Sequence, residues 1–367
     1  MGAEIKAKNI VYVIAVLLFS LLFLEISCQI LHKAKTGHWL WLSENQPRLF
    51  EPHSWLAGVP RKSISVEVRG IRISHDEIGT RLVKTTLKVA SDAKRIIVFE
   101  GSSTYGTRVS DEQTWPSYLQ ETLGPSFKVI NAGVPGYSTA ENIIQTALQS
   151  YDLQPDIAIY YMGWNDVRNL NIKNLKSDYS DFHGPSQFFS LQLLVDNGYG
   201  AKSALIYYLV GTAHKLYQRP FPVEEISRRA IDIYKYNIKT LISIARAHNI
   251  QIILVPQILN YSRLTDDKTH AWIPFIKDSD LREWMGIYND ALLEMCRIEN
   301  VSCFKKVLDA TWEDADFVDK GHFSGRGGAK FAQIIYDSLM EYSGGTTSGT
   351  VMALAKTAQE EPLAEQV

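Results

Sequence analysis

Surplus positive charge, a rich cysteine framework and cofactor signatures are all missing from this 367-residue chain. Its 38 basic and 40 acidic side chains leave a formal net charge of -2. That balance offers no extended basic surface to neutralise phosphates and argues against a nucleic-acid partner. There is no P-loop, no dinucleotide-binding glycine fingerprint and no histidine-glutamate zinc motif, so neither a nucleotide nor a metal cofactor is implied. Only three cysteines occur, Cys28, Cys296 and Cys303, and their spacing fits no structural zinc site. Cys28 falls inside a hydrophobic run. Cys296 and Cys303 are expected to be unpaired buried thiols, the disulfide alternative requiring a domain outside the cytoplasm.

A long hydrophobic run occurs at the N-terminus, where Ile10 to Leu24 is interrupted only by Ser20 and a weaker stretch continues to Leu31. Residues 9–31 have about the length that crosses a hydrocarbon core, which predicts a transmembrane anchor after a short segment 1–8. No convincing small-x-small cleavage site follows, and Glu25-Ile-Ser-Cys28 is a poor lipoprotein box because a charged residue stands where an aliphatic one is expected. The anchor is therefore expected to stay uncleaved. Lys6 and Lys8 before the run nearly match Lys33 and Lys35 after it, so charge leaves the orientation open. Glu25 is expected near the interface, where its carboxylate stays hydrated.

With 46% hydrophobic residues, the remainder has ample material for a core. Residues 36–93 read as a β-rich linker and platform, in which alternation from Ser63 to Ser74 around Gly70 predicts a hairpin with one wet face. Beyond this, strands near 95–100, 128–132, 157–162, 251–256 and 301–304 alternate with helices near 114–123, 139–152, 223–248, 280–299 and 326–342. That order predicts a three-layer α/β/α sandwich around a five-stranded parallel sheet over residues 94–343. An insertion at 167–222 exceeds what a crossover needs and crowds Phe182, Phe188, Phe189, Tyr199, Tyr207, Tyr208 and Tyr217, which suits a lid or acceptor surface, or helical hairpins packed over the sheet edge. Residues 344–367, Gly/Ser/Thr-rich and then acidic, read as a disordered tail.

Four short blocks punctuate the sandwich: Gly101-Ser-Ser-Thr104, Asn131-Ala-Gly-Val-Pro-Gly136, Gly163-Trp-Asn-Asp166 and Asp319-Lys-Gly-His322. Their order and spacing resemble those of the SGNH/GDSL hydrolase superfamily, across roughly Arg95 to Tyr342. The resemblance implies a flavodoxin-like fold and serine-dependent ester hydrolysis through an acyl-enzyme. A serine hydroxyl is a weak nucleophile that needs a base, and the base an orienting group; by resemblance these are Ser102, His322 and Asp319. The oxyanion donors implied are the backbone N–H groups of Ser102 and Gly136 and the side-chain amide of Asn165, with Gly133 the competing glycine. Asp166 is free to serve as a turn or cap residue. The first block departs from the family's pattern. Aligning Thr104-Tyr105-Gly106 selects Ser102 and puts Glu100 where a glycine is usual, whereas a Gly-x-Ser alignment selects Ser103. Glu100 would either repel an oxyanion or turn away into a hydrogen-bonded loop.

The expectation is a membrane-anchored esterase, with its catalytic domain periplasmic or otherwise extracytoplasmic, acting on an ester or O-acylated substrate such as a glycan or lipid. An O-acyltransferase would share every catalytic group and differ only in the acceptor. A non-catalytic, membrane-tethered scaffold that keeps the fold is the alternative from another class.

Overall fold

The computed structural model of the protein describes residues 2–37, 39–42, 49–51, 53, 55, 56, 58–68, 70–170, 175–179, 202–217, 227–265 and 277–345. They fall into two compact units, Met1–Arg48 with His183–Arg219, and Leu49–Phe182 with Pro220–Val367. The expected tail from residue 346 onward lies outside the described residues, as do Phe182, Phe188, Phe189 and Tyr199 of the insertion.

The first unit is built on α1 (Gly2–Thr36), whose segment Lys8–Thr36 is long and apolar enough to cross a membrane. A second helix, Ala204–Tyr217, comes from the insertion and packs against α1. Glu25 is not simply hydrated as expected: its carboxylate accepts from Ser203 Oγ at 2.7 Å, Ala204 N at 2.9 Å and Leu205 N at 3.1 Å. The first turn of a helix has backbone N–H groups without intrahelical partners, and a carboxylate is a strong acceptor for them.

In the second unit the hairpin β1 (Ile64–Val68) and β2 (Ile71–His75) pairs Val66 with Ile73 across its buried face. Glu67 opposes Arg72 on the wet face. The sheet proper comprises β3 (Lys94–Phe99), β4 (Phe127–Asn131), β5 (Ile157–Tyr161), β6 (Gln251–Val255) and β7 (Ser302–Cys303), all parallel in the order β4-β3-β5-β6-β7. This is the flavodoxin-like order, with the first strand internal and its neighbours reached in opposite directions, so a crevice opens beyond its carboxyl end.

Side-chain alternation fills both layers. Ile97, Phe99, Ala158, Tyr160, Ile252 and Leu254 belong to one core with α7 (Arg228–Ala247) and α8 (Leu281–Glu299). Ile96, Val98, Ile157, Ile159, Ile253 and Val255 belong to the other, with α3 (Trp115–Leu123) and α9 (Gly325–Gly345). Being buried on both sides is what makes these strands near-continuous apolar runs. Among the shorter helices in this unit, α2 (Ser102–Tyr105), α4 (Thr139–Ile144) and α5 (Trp164–Val167) each start beyond a strand's carboxyl end; the insertion helix Ala204–Tyr217 is α6.

Two features correct the sequence reading. Cys296 at the end of α8 and Cys303 on β7 are joined by a disulfide, not left as thiols. Asn300, in the left-handed conformation at φ 51°, turns the chain so that the two Cα atoms stand 6.0 Å apart, within the range a disulfide spans. The segment read as a linker also holds a buried charge: Arg81 is fully buried, ion-paired with Asp111 at 3.1 Å and lying over the Tyr105 ring at 5.1 Å. Its backbone N–H donates to Asn131 O, and nearby His75 Nε2 meets Tyr105 OH at 2.8 Å.

Removing one partner of a buried ion pair strands the other. Arg81→Met is therefore expected to cost on the order of 3–5 kcal/mol, read as a lower denaturant midpoint in equilibrium unfolding. A midpoint equal to that of the parent would show that Asp111 is resolvated without cost.

Candidate active site

The turn after β3 is forced into shape by contacts a side chain would block. A Cβ on Gly101 would lie 2.2 Å from Asn165 Nδ2, so glycine is needed for the Asn165 amide to sit against the start of α2. That amide is held from behind, donating to Tyr137 O at 2.7 Å, and an amide nitrogen carries a second hydrogen. Ser102 opens α2 and is half-buried, while Ser103 is buried. The Ser103 hydroxyl donates to Gly321 O at 2.9 Å, which occupies it in joining α2 to the last loop.

That loop, between the bridged residues Phe317 and Phe323, folds around one carboxylate. Asp319 Oδ1 accepts from Gly321 N at 3.0 Å and His322 N at 2.9 Å, and Asp319 Oδ2 lies 2.8 Å from His322 Nδ1. His322 Nε2 is then 2.7 Å from Ser102 Oγ. Burial would raise the Asp319 carboxyl, but the hydrogen bond and charge of His322, together with the two backbone N–H groups, hold it down at about 2. Arg108 Nε approaches the same carboxylate at 3.7 Å from an exposed position. Ser324 follows immediately and its hydroxyl accepts from Gly327 N, capping α9.

The glycines of the second block divide their tasks. Gly133 donates its N–H to Asn131 Oδ1 at 3.0 Å, and a Cβ there would meet Tyr105 N at 2.6 Å; it is a packing glycine. Gly136 has φ +87° and open space where a Cβ would be. Neither the Gly136 N–H nor the Ser102 N–H has a hydrogen-bond partner among the described residues. The structure thus brings Ser102, Asp319 and His322 into one hydrogen-bonded chain and leaves two backbone donors unengaged.

Two buried acids flank the site, Glu100 before the first block and Asp166 at the end of the third. Glu100 is 2% exposed, and its Oε2 accepts from Thr104 N at 2.7 Å, so it turns inward and caps α2. Burial pushes its carboxyl up to about 7 against the pull of the backbone N–H groups of Thr104, Gly101 and Ser103. Asp166, next to Asn165, accepts from Thr139 Oγ1 at 2.6 Å and Tyr179 OH at 3.0 Å. Its carboxyl too is driven by burial to about 7. A glutamate ending an apolar strand was the visible signal for Glu100; nothing local marked Tyr137 or Tyr179.

Both acids hold a proton more tightly folded than unfolded. Their stabilisation is complete below the unfolded values, 4.5 for Glu100 and 3.8 for Asp166, and is lost as pH rises through about 7. Each contributes a slope of at most about 1.4 kcal/mol per pH unit across that window. Glu100→Gln keeps an acceptor for Thr104 N and cannot ionise, so its Tm is expected to fall less steeply with pH than that of the parent. Superimposable Tm-versus-pH curves would remove Glu100 from this account.

The sequence profile of the GDSL-like Lipase/Acylhydrolase family matches residues 101–330. No curated protein matches the chain. Solved structures that it is similar to include a GDSL-like lipase from Bacteroides thetaiotaomicron, at 13% identity and TM-score 0.41 over 70% of this chain and 92% of that one. The psychrotrophic esterase EstA from Pseudoalteromonas sp. is 14% identical with TM-score 0.40, over 68% and 98% of the two chains. The lipase/acylhydrolase from Enterococcus faecalis is 13% identical with TM-score 0.41, over 67% and 95%. The family match runs from Gly101 through Lys330 and takes in all four motif blocks, and on it the chain belongs to the GDSL-like lipase/acylhydrolase family.

Proposed function

We propose that the protein is a membrane-anchored serine esterase that works through an acyl-enzyme on Ser102. The observation that carries this reading is the chain of contacts from Ser102 Oγ to His322 Nε2 at 2.7 Å and from His322 Nδ1 to Asp319 Oδ2 at 2.8 Å. With Asp319 ionised, the Nδ1 proton faces the carboxylate and the Nε2 lone pair faces the hydroxyl. Ser102 Oγ then attacks the ester carbonyl carbon as its proton passes to His322 Nε2, and the carbonyl electron pair moves onto oxygen. The Ser102 and Gly136 N–H groups and the second Asn165 Nδ2 hydrogen are the donors for that oxyanion. Collapse expels the alkoxide, which takes the proton from Nε2. Water repeats the sequence on the acyl-serine and releases the acid. Glu100 does not repel the oxyanion in this scheme, because its carboxyl turns into the α2 backbone, and burial raising it to about 7 leaves it half protonated at that pH.

Three variants test the assignment together. Ser102→Ala is expected to lose both p-nitrophenyl ester turnover and fluorophosphonate labelling, and Ser103→Ala to retain them; the reverse pattern would move the nucleophile to Ser103. Asn165→Ala is expected to keep the label while kcat falls on the order of 10²–10³ with KM nearly unchanged, the scale of one oxyanion donor. A destabilised variant with normal turnover per folded molecule would leave Asn165 a turn residue only.

The extracytoplasmic placement of the catalytic domain is supported by the Cys296–Cys303 disulfide, since such bonds persist in oxidising compartments. Protease added to intact spheroplasts that express the full chain is expected to digest the catalytic domain. Protection there, with digestion only in inverted vesicles, would place the domain in the cytoplasm.

A further inference from the structure

The insertion returns to the anchor at a depth that can be worked out along α1. From Ile10 to Glu25 the helix advances roughly 22 Å at about 1.5 Å per residue, which is less than the hydrocarbon thickness of about 30 Å. Glu25 therefore stands inside the far edge of the bilayer that α1 crosses. An ionised group there is costly unless it is fully hydrogen-bonded, and Glu25 is: besides Ser203, Ala204 and Leu205, it accepts from Gln29 Nε2 at 2.7 Å. Gln29 is fully buried and extends the latch, donating to Lys202 O at 2.7 Å and accepting from Leu40 N at 3.1 Å. Because these bonds tie Ser203–Leu205 to Glu25, the start of α6 shares its depth.

The surroundings have the chemistry of a membrane boundary. His32, one turn beyond Gln29, is flanked edge-on by Tyr207 and Tyr208 at 5.5 and 6.4 Å. Lys33 lies over Trp39 at 4.6 Å and Lys35 over Tyr208 at 5.3 Å. Tyrosine, tryptophan and lysine at one level form the belt found where acyl chains meet headgroups. On the outer side of α6, Ile206 and Leu209 are 38% and 61% exposed, and Leu24, Ile26 and Ile30 of α1 are 47%, 40% and 54% exposed.

We infer that the first turns of α6 form a second membrane contact, in which Ile206 and Leu209 enter the lipid boundary beside α1 and Glu25 fixes their depth. At 14 residues α6 is too short to span, so it is a boundary element latched to the anchor. The inference rests on α1 being a membrane anchor, and the test separates the two.

The full chain, carrying Cys28→Ser, receives a single bimane label at Ile206→Cys or, as reference, at Leu18→Cys, and is reconstituted in phosphatidylcholine vesicles. The Ile206 label is expected to lose most of its emission to brominated phosphatidylcholine and little to aqueous iodide. Adding Glu25→Ala is expected to transfer the Ile206 label to iodide and leave the Leu18 label with the lipid. An Ile206 label open to iodide while Leu18 stays lipid-quenched overturns the inference and spares the anchor. Silence to both quenchers means that protein, such as a second copy, covers Ile206, and also overturns it, as does an Ile206 label that remains lipid-quenched in Glu25→Ala. A Leu18 label untouched by lipid removes the anchor itself.

Discussion

The second unit depends on how a strand buried on both faces is allowed to end. β3 is covered by helices on either side, so the turn beyond it must find partners for its backbone N–H groups inside the protein. Glu100 supplies an acceptor for Thr104 N, and Asn131 Nδ2 closes the other end of α2 by donating to Thr104 O at 2.8 Å. What remains unengaged between them is the Ser102 N–H, beside the Asn165 amide. A less complete set of partners would let α2 drift, and the hydroxyl of Ser102 with it, from a histidine delivered by a loop more than two hundred residues away.

The sheet was legible in the sequence because its strands are apolar on both faces and each ends at a polar or glycine-rich break. Lys94–Phe99, Phe127–Asn131, Ile157–Tyr161 and Gln251–Val255 each fall within a residue of where that pattern put them. The motif residues were legible because they follow those strands directly. Their supports were not. Tyr137 holds Asn165 through a carbonyl oxygen, which carries no residue signature, and Tyr179 reaches Asp166 from the edge of the insertion. The disulfide escaped because spacing alone does not reveal that Asn300 turns β7 back onto the end of α8. The buried pairing of Arg81 was not legible because its partner, Asp111, lies on a separate segment that only the tertiary fold brings to it.

Polar groups in this protein are spent on joining segments far apart in sequence. Glu25 and Gln29 bind the start of α6 in the first unit. In the second, Arg81 and His75 bring the hairpin segment to Tyr105 on α2, and Asp166 gathers Thr139 and Tyr179 under the Asn165 turn. Each is costly if left unpaired, so each penalises arrangements in which its segments part. Apolar packing of the two sheet layers has no such selectivity, since it tolerates many similar side-chain combinations.

The Arg81 contact and the disulfide also act at the two rims of the parallel sheet. An open rim presents unpaired N–H and C=O groups that a foreign strand can join. At β4 the backbone of Arg81 bridges Asn131, bringing the hairpin segment alongside. At the opposite rim β7 is only two residues long and is covalently fastened to α8 through Cys303. Neither rim is left as a long free ladder, and the fold thereby carries its own defence against strand-to-strand aggregation.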